Sequence, residues 1–423
     1  MNTLSKIFKG DKGLWFIFLF FCIISLIEVF SAGSRLTFKS GNYWIPLRQH
    51  ASFLFCGFLL VLFVSYIPYR KFQYLSVFLL PVSLILLIWA LVAGHTVNDA
   101  SRWVPIFGIK FQPSELAKMA MVIYSAFILK KQKDGGASPY AFKFIVPVFI
   151  VFFALILPEN LSTAGLLFLE VMLMMFIGRI PIKKIGILIG ALLSPVIIMI
   201  LIVAVTPKNT IANDKSFLHR AGAWVERFDS FLSDRDKVPA ERYDISKKEQ
   251  VGHASIAIAT SNLLGKGPGN SVQRDFLSEA ESDFIFAIII EEMGLFGGMF
   301  VVLLYIWLLV RAYKIAKKCG HHYFAVFLVI GIALMIVSQA LVNMMVAVGL
   351  FPVTGQPLPL ISKGGTSTLI NCVYIGMMLS VSRYANSLEK QNRADKDKEM
   401  QLEIINQSPE PTEDMAEDNI KIE

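Results

Sequence analysis

Cysteine and histidine are scarce in this chain, with four and six residues among 423. Cys22, Cys56 and Cys372 lie within apolar runs and Cys319 lies in a basic loop, so neither a disulfide framework nor a metal-ligand spacing is present. The paired histidines His321 and His322 sit in a basic loop, where solvation accounts for them better than metal binding. Charged residues make up only 17% of the chain, against 55% hydrophobic, with a mean hydropathy of +0.59. A soluble protein of this length would not be so apolar. The phosphate-cradling spacing GxxxxGK[ST] is also missing.

What is present is a series of apolar runs of about 17–25 residues, the length of a membrane-spanning helix. Lipid offers no partners to backbone polar groups, so such runs must be helical. The runs cover 14–32, 51–67, 75–93, 114–130, 144–158, 161–178, 185–206, 284–310, 323–348 and 366–384. The expected fold is therefore all-α, a polytopic membrane protein of about ten transmembrane helices. One large external loop, near 207–283, joins helices 7 and 8. The first run exceeds the apolar core of a signal peptide and reads as an uncleaved helix, although Ser31-Ala32-Gly33 would suit a peptidase.

The net charge of +8 does not point to nucleic acid, because many basic residues sit in short loops between the runs. Arg70, Lys71, Lys131, Lys133, Lys143, Arg179, Lys183, Lys184, Arg311, Lys314, Lys317 and Lys318 fall on one side. Arg35, Lys39, Arg48, Arg102, Lys110 and Lys363 fall on the other. The more basic side is expected to be cytoplasmic, with both termini inside and the loops near 33–50, 94–113, 207–283 and 349–365 outside. Residues 1–385 then form one transmembrane domain. Residues 386–423 read as a cytoplasmic tail, disordered after a short helical continuation. Within the large loop, Trp224, Phe228 and Phe231 at helical spacing suggest a short amphipathic helix on the outer surface.

Four polar segments border the external side. In NDASRWVPIFGIKFQPSELAK (98–118), Gln112-Pro113-Ser114 reads as a helix start with Ser114 as a candidate cap. Glu115 and Lys118 share a helix face and can pair, whereas Arg102 is available for an anionic group such as a phosphate. PENLSTAG (158–165) marks a helix junction. QVGHASIAIATSNLLGKGPGNS (250–271) is glycine-rich with Lys266 in it; it serves either as a phosphate approach or as a simple turn. NMMVAVGLFPVTGQPLPLISKGGTS (343–367) interrupts an apolar region with prolines and glycines, and reads as a re-entrant loop lining a cleft that Lys363 could reach.

Asp283 opens the run IFAIIIEEMGLFGG and has two readings, a helix N-cap or a general base. Deeper in the same run, at least one of Glu291 and Glu292 should pair with Lys118 or another interior donor. Glu28 and Glu170 are intramembrane acids without an evident partner in the sequence.

These segments resemble the SEDS family (shape, elongation, division and sporulation proteins) from the first helix to Tyr384. The resemblance rests on NDASRWVPIFGIKFQPSELAK, NLLGKGPG, SDFIFAIIIEEMG and GLFPVTGQPLPLISKGGTS. The compact ending is more similar to the division branch than to the elongation branch. The resemblance implies a peptidoglycan glycosyltransferase of the inner membrane at the septum, polymerising lipid II, the undecaprenyl-pyrophosphate-linked disaccharide-pentapeptide. It implies a class B penicillin-binding transpeptidase and other divisome proteins as partners. The family's catalytic aspartate falls on Asp283, its external arginine on Arg102, and its glutamate and lysine on Glu115 and Lys118. Lys363 and Lys266 are further candidates for contacting substrate. No cofactor is evident, although a divalent cation, Mg2+ or Mn2+, would be compatible. Asn160 and Ser162 stand where the family usually has an aspartate and a glycine, and Lys363 where it often has an aromatic. A lipid flippase with a polar path through Glu28, Glu170 and Glu291 or Glu292, and a non-catalytic divisome scaffold, are the competing classes.

Overall fold

The computed structural model describes residues 8–33, 44–93, 95–97, 100–106, 109–133, 136–205, 249–277 and 279–407. All ten apolar runs are helical: α1 (Lys12–Ala32), α2 (Trp44–Tyr66), α3 (Tyr69–Ala93), α4 (Pro113–Leu129), α5 (Ala141–Ile156), α6 (Leu161–Ile177), α7 (Ile182–Val205), α9 (Ile285–Cys319), α10 (Tyr323–Ala347) and α11 (Thr366–Gln407). Among the described residues an eleventh helix, α8 (Glu249–Ala259), lies within the large loop. By length and hydropathy five described helices can cross a membrane, within α1, α2, α3, α9 and α10, and α5 and α6 are shorter apolar helices. The candidate amphipathic helix around Trp224 lies outside the described residues.

α4 forms the centre, packing against α3, α6 and α10. α10 packs in turn on α9, and α11 lies along α2. Side chains at this centre are fully enclosed, among them Met121, Ile123, Leu328, Ile332 and Tyr374. The outer faces of α1, α2 and α3 are apolar yet exposed, as lipid-facing surfaces must be, with Phe16, Phe55 and Phe78 among them.

Two expectations need correction. The chain is not purely helical. The external segment before α4 forms an antiparallel meander, β1 (His95–Val97), β2 (Ala100–Ile106) and β3 (Ile109–Phe111), and β4 (Gln132–Lys133) pairs with β5 (Gly136–Ala137). β1, β3, β4 and β5 are too short for a periodic signal in the sequence, and β2 (ASRWVPI) does not alternate apolar and polar residues. Ser114 does not cap α4: Gln112 occupies the cap position without a side-chain cap bond, Pro113 fills the first turn, and the Gln112 amide donates to Ser114 Oγ at 3.1 Å. The helical continuation expected after Asn386 is present, with α11 running on to Gln407. Glu389 supports that extension through Lys318 of α9 at 2.8 Å and Arg393 at 2.7 Å, and Lys318 holds its carboxyl below the usual glutamate range.

Candidate functional site

The turn before α9 and the re-entrant loop before α11 are built against each other. Asp283 lies one residue outside the α9 cap position, which Phe284 fills without a side-chain bond, so the N-cap reading of Asp283 fails. The Asp283 backbone is held from two sides. Its N–H donates to Glu279 O at 3.1 Å, and its carbonyl accepts from Asn343 Nδ2 at 2.9 Å. The same Asn343 amide donates to Gln356 O at 2.8 Å, and so ties the loop to the turn. Ser362 Oγ donates to Ser282 O at 2.5 Å and Lys363 N–H to Glu281 O at 2.9 Å. Gly355, at φ +64°, passes so close that a Cβ on it would lie 3.5 Å from Asp283 Oδ2.

This junction contains backbone strain. Among the described residues three non-glycines have left-handed φ, and two of them, Glu279 (+64°) and Leu360 (+66°), flank the contact. Each such residue costs about 1–3 kcal/mol and persists only where its surroundings hold it, a pattern concentrated at functional sites.

Polar groups inside the helices extend the arrangement. Lys118 and Glu115 pair at 2.8 Å, and Lys118 Nζ donates to Gln339 Oε1 at 2.8 Å. Gln339 Nε2 donates onward to Pro357 O at 3.0 Å. Gln356 Nε2 donates to Thr163 Oγ1 at 2.9 Å, and Asn160 caps α6 by accepting from Thr163 N–H at 3.1 Å. The candidate pair Glu115–Lys118 therefore supports the loop beside Asp283 through Gln339. Sequence reading missed Gln339, Asn343 and Thr163. The available signal was two amides four residues apart in an otherwise apolar helix, where an unpaired amide is costly. Glu115 and Lys118 are 2% and 0% exposed, so breaking the pair is more damaging than removing it. Lys118→Met should destabilise the protein by about 3–5 kcal/mol by stranding Glu115. Adding Glu115→Gln should restore part of that loss, as thermal unfolding of the purified variants would show.

Lys363 is brought alongside this turn. Burial lowers its pKa, while the nearby Glu281 and Glu279 act in the opposite direction. Arg102 lies on β2, and its side chain falls outside the described residues. The meander is joined to α11 where Thr366 Oγ1 donates to Lys110 O at 3.3 Å.

Lys266 is placed elsewhere. α9 is broken at Gly294, whose φ of 71° and ψ of −174° are not helical. The loop Asn262–Gly267 inserts into the break. Lys266 and Gly267 N–H donate to the carbonyls of Glu291 and Glu292, at 3.0 and 2.8 Å. Leu295 and Phe296 N–H donate to the carbonyls of Asn262 and Leu263, at 3.4 and 3.3 Å. Groups freed by the break are thus satisfied by protein, as membrane depth requires. Lys266 Nζ pairs with Glu291 at 2.5 Å, and Glu291 also accepts from Ser271 Oγ and from the N–H groups of Val272 and Gln273. Glu292 accepts from Ser31 Oγ and from the N–H groups of Gly269 and Ser271. The interior donor for these acids is therefore the 266–273 loop rather than Lys118. Glycine here serves backbone-to-backbone closure, so the turn reading of NLLGKGPG is the one the geometry favours.

The family of cell cycle proteins named for FtsW, RodA and SpoVE matches residues 11–387. The chain belongs to this family. It is the SEDS family of the sequence resemblance. Relatives include the "Probable peptidoglycan glycosyltransferase FtsW" of Haemophilus ducreyi, 30% identical over 391 residues, covering 91% of this chain and 92% of that protein. The protein of the same description from Escherichia coli O157:H7 is 31% identical over 398 residues, covering 92% and 89%. Solved structures share the fold. A chain from a peptidoglycan synthase complex that coordinates polymerization and crosslinking aligns with a TM-score of 0.69 at 24% identity, covering 89% of this chain and 98% of that one. The rod shape determining protein RodA of Thermus thermophilus aligns with a TM-score of 0.62 at 23% identity, covering 89% and 98%. The family membership makes this a multi-pass membrane protein.

Proposed function

We propose that this SEDS protein is a peptidoglycan glycosyltransferase of the division branch, polymerising lipid II with Asp283 as general base. The carrying observation is the turn at Asp283. Asp283 stands one residue before the α9 cap, its backbone carbonyl is held by Asn343, and Gly355 of the re-entrant loop passes beside its carboxylate. The proposed topology has ten spans, both termini in the cytoplasm, and this mouth outside.

In the reaction, Asp283 takes the proton from the sugar 4-hydroxyl of one substrate molecule as that oxygen bonds to the anomeric carbon of another. The bond from that carbon to the lipid pyrophosphate breaks, and the pyrophosphate leaves with the electron pair. Arg102 and Lys363 stabilise the charge that develops on it. Lys266 is not assigned to this task, because Glu291 already holds it. The relatives' description as FtsW and the similarity to a synthase-complex chain support a class B transpeptidase and divisome proteins as partners.

The arrangement at Glu291 and Glu292 weighs against a transport path, since both carboxylates are enclosed and consumed by the 266–273 loop. Sealed proteoliposomes with lipid II confined to the leaflet facing Asp283 provide the test. Strands should form there without translocation. Product that depends on substrate crossing the bilayer would contradict the proposal.

A further inference from the structure

At the opposite end of the bundle from Asp283, a pocket of about 600 Å³ lies between the start of α1 and the 383–390 stretch of α11. Its lining includes four cations, Lys9, Lys12, Arg383 and Lys390, and no acid. The neighbouring acids are engaged outside it: Asp11 with Arg311, and Glu389 with Lys318 and Arg393. Arg383 is fixed by donating to Ser65 O at 2.7 Å and by lying over the Tyr66 ring, and Lys9 lies over the same ring. Among the described residues Lys12 and Lys390 have no ion pair.

The local fold builds this pocket. Trp15 Nε1 donates to Lys9 O at 3.2 Å, and Phe8 stacks edge-on against Trp15. Gly10, at φ +108°, lets this segment press on α11, where a Cβ would lie 3.1 Å from Leu379 O. Below the cations the wall is apolar, formed by Phe16 and Leu19. It continues along the exposed face of α1 through Phe20, Ile23, Ile27 and Phe30.

We infer that this pocket holds the headgroup phosphate of an anionic phospholipid, with an acyl chain lying along the α1 stripe. A cationic rim above an apolar wall at a membrane surface matches both halves of such a molecule. The chain's own acidic segment, with Glu410, Glu413, Asp414, Glu417 and Asp418, complements the rim by charge, whereas a phospholipid also supplies an acyl chain for the apolar wall. The inference rests on the membrane placement of the helices and not on the catalytic reading of Asp283.

The test is native mass spectrometry of the delipidated full chain in detergent, mixed with equal amounts of dioleoylphosphatidylglycerol and dioleoylphosphatidylcholine. The chain should retain phosphatidylglycerol over phosphatidylcholine by on the order of tenfold, and the Lys12→Gln/Lys390→Gln variant should lose most of that preference. Both lysines are exposed, so the fold should survive the change, and an unaltered melting temperature would confirm it. An equal preference in the variant would overturn the inference. A preference that emerges only after truncation at Gln407 would also overturn it, making the acidic segment the occupant.

Discussion

Asp283→Asn should reduce lipid II polymerisation by about 10²- to 10⁴-fold, the usual contribution of one general base. Asparagine keeps the shape of aspartate and one acceptor oxygen, replaces the other with an NH2 donor, and removes the basicity. The backbone bonds that fix the turn, from Asn343 to the Asp283 carbonyl and from Asp283 N–H to Glu279, do not involve the side chain. The variant should therefore melt within about 2 °C of the native protein, since α9 is not capped by this residue. A fall in rate accompanied by an equal loss of folded protein would instead assign Asp283 to structure.

Gly294→Ala should have the largest effect on folding. At φ 71° and ψ −174° only glycine is comfortable, and a Cβ there would lie 2.3 Å from Leu263 O. Gly265 faces it reciprocally, with a Cβ position 2.3 Å from both Glu292 O and Gly294 N. Alanine must therefore drive the 262–267 loop out of the break, leaving the carbonyls of Glu291 and Glu292 without their donors. The strained backbone alone costs about 1–3 kcal/mol, and the expelled loop adds to it. Loss of monodisperse protein, or a large drop in melting temperature, is the expected reading. Gly186→Ala, on a helix where nothing lies within 4 Å of the new Cβ, is the matched control and should be neutral or mildly stabilising.

The helices were legible in the sequence because each is a long apolar run, and the bilayer permits such a run little other than a helix. Asp283 and the 343–367 loop were legible for a related reason: charge, proline and glycine are conspicuous against an apolar background. Glu115 and Lys118 were legible because their spacing puts them on one face. The enclosure of Glu291 and Glu292 was not legible. It depends on a break at Gly294 and on a loop closing into that break from 27–32 residues upstream, which no local pattern encodes. The relay from Lys118 through Gln339 to Pro357 is likewise tertiary, joining α4 to the re-entrant loop across α10. The β1–β3 meander escaped notice because β1 and β3 are three residues each and the seven-residue β2, ASRWVPI, does not alternate apolar and polar residues. A helical continuation after Asn386 was legible, but its length to Gln407 was hidden by a polar composition equally suited to a solvated chain, and its link to α9 through Lys318 and Glu389 emerges only from packing.

The most direct test of the central claim is strand synthesis by the purified full chain, with a cognate class B transpeptidase present and its crosslinking activity blocked. Lipid II carrying a fluorescent pentapeptide is supplied, and products are resolved by length on a gel. The account predicts a ladder of uncrosslinked glycan strands that requires this chain and disappears with Asp283→Asn. Unconsumed lipid II, from a pair shown to be assembled, would contradict it.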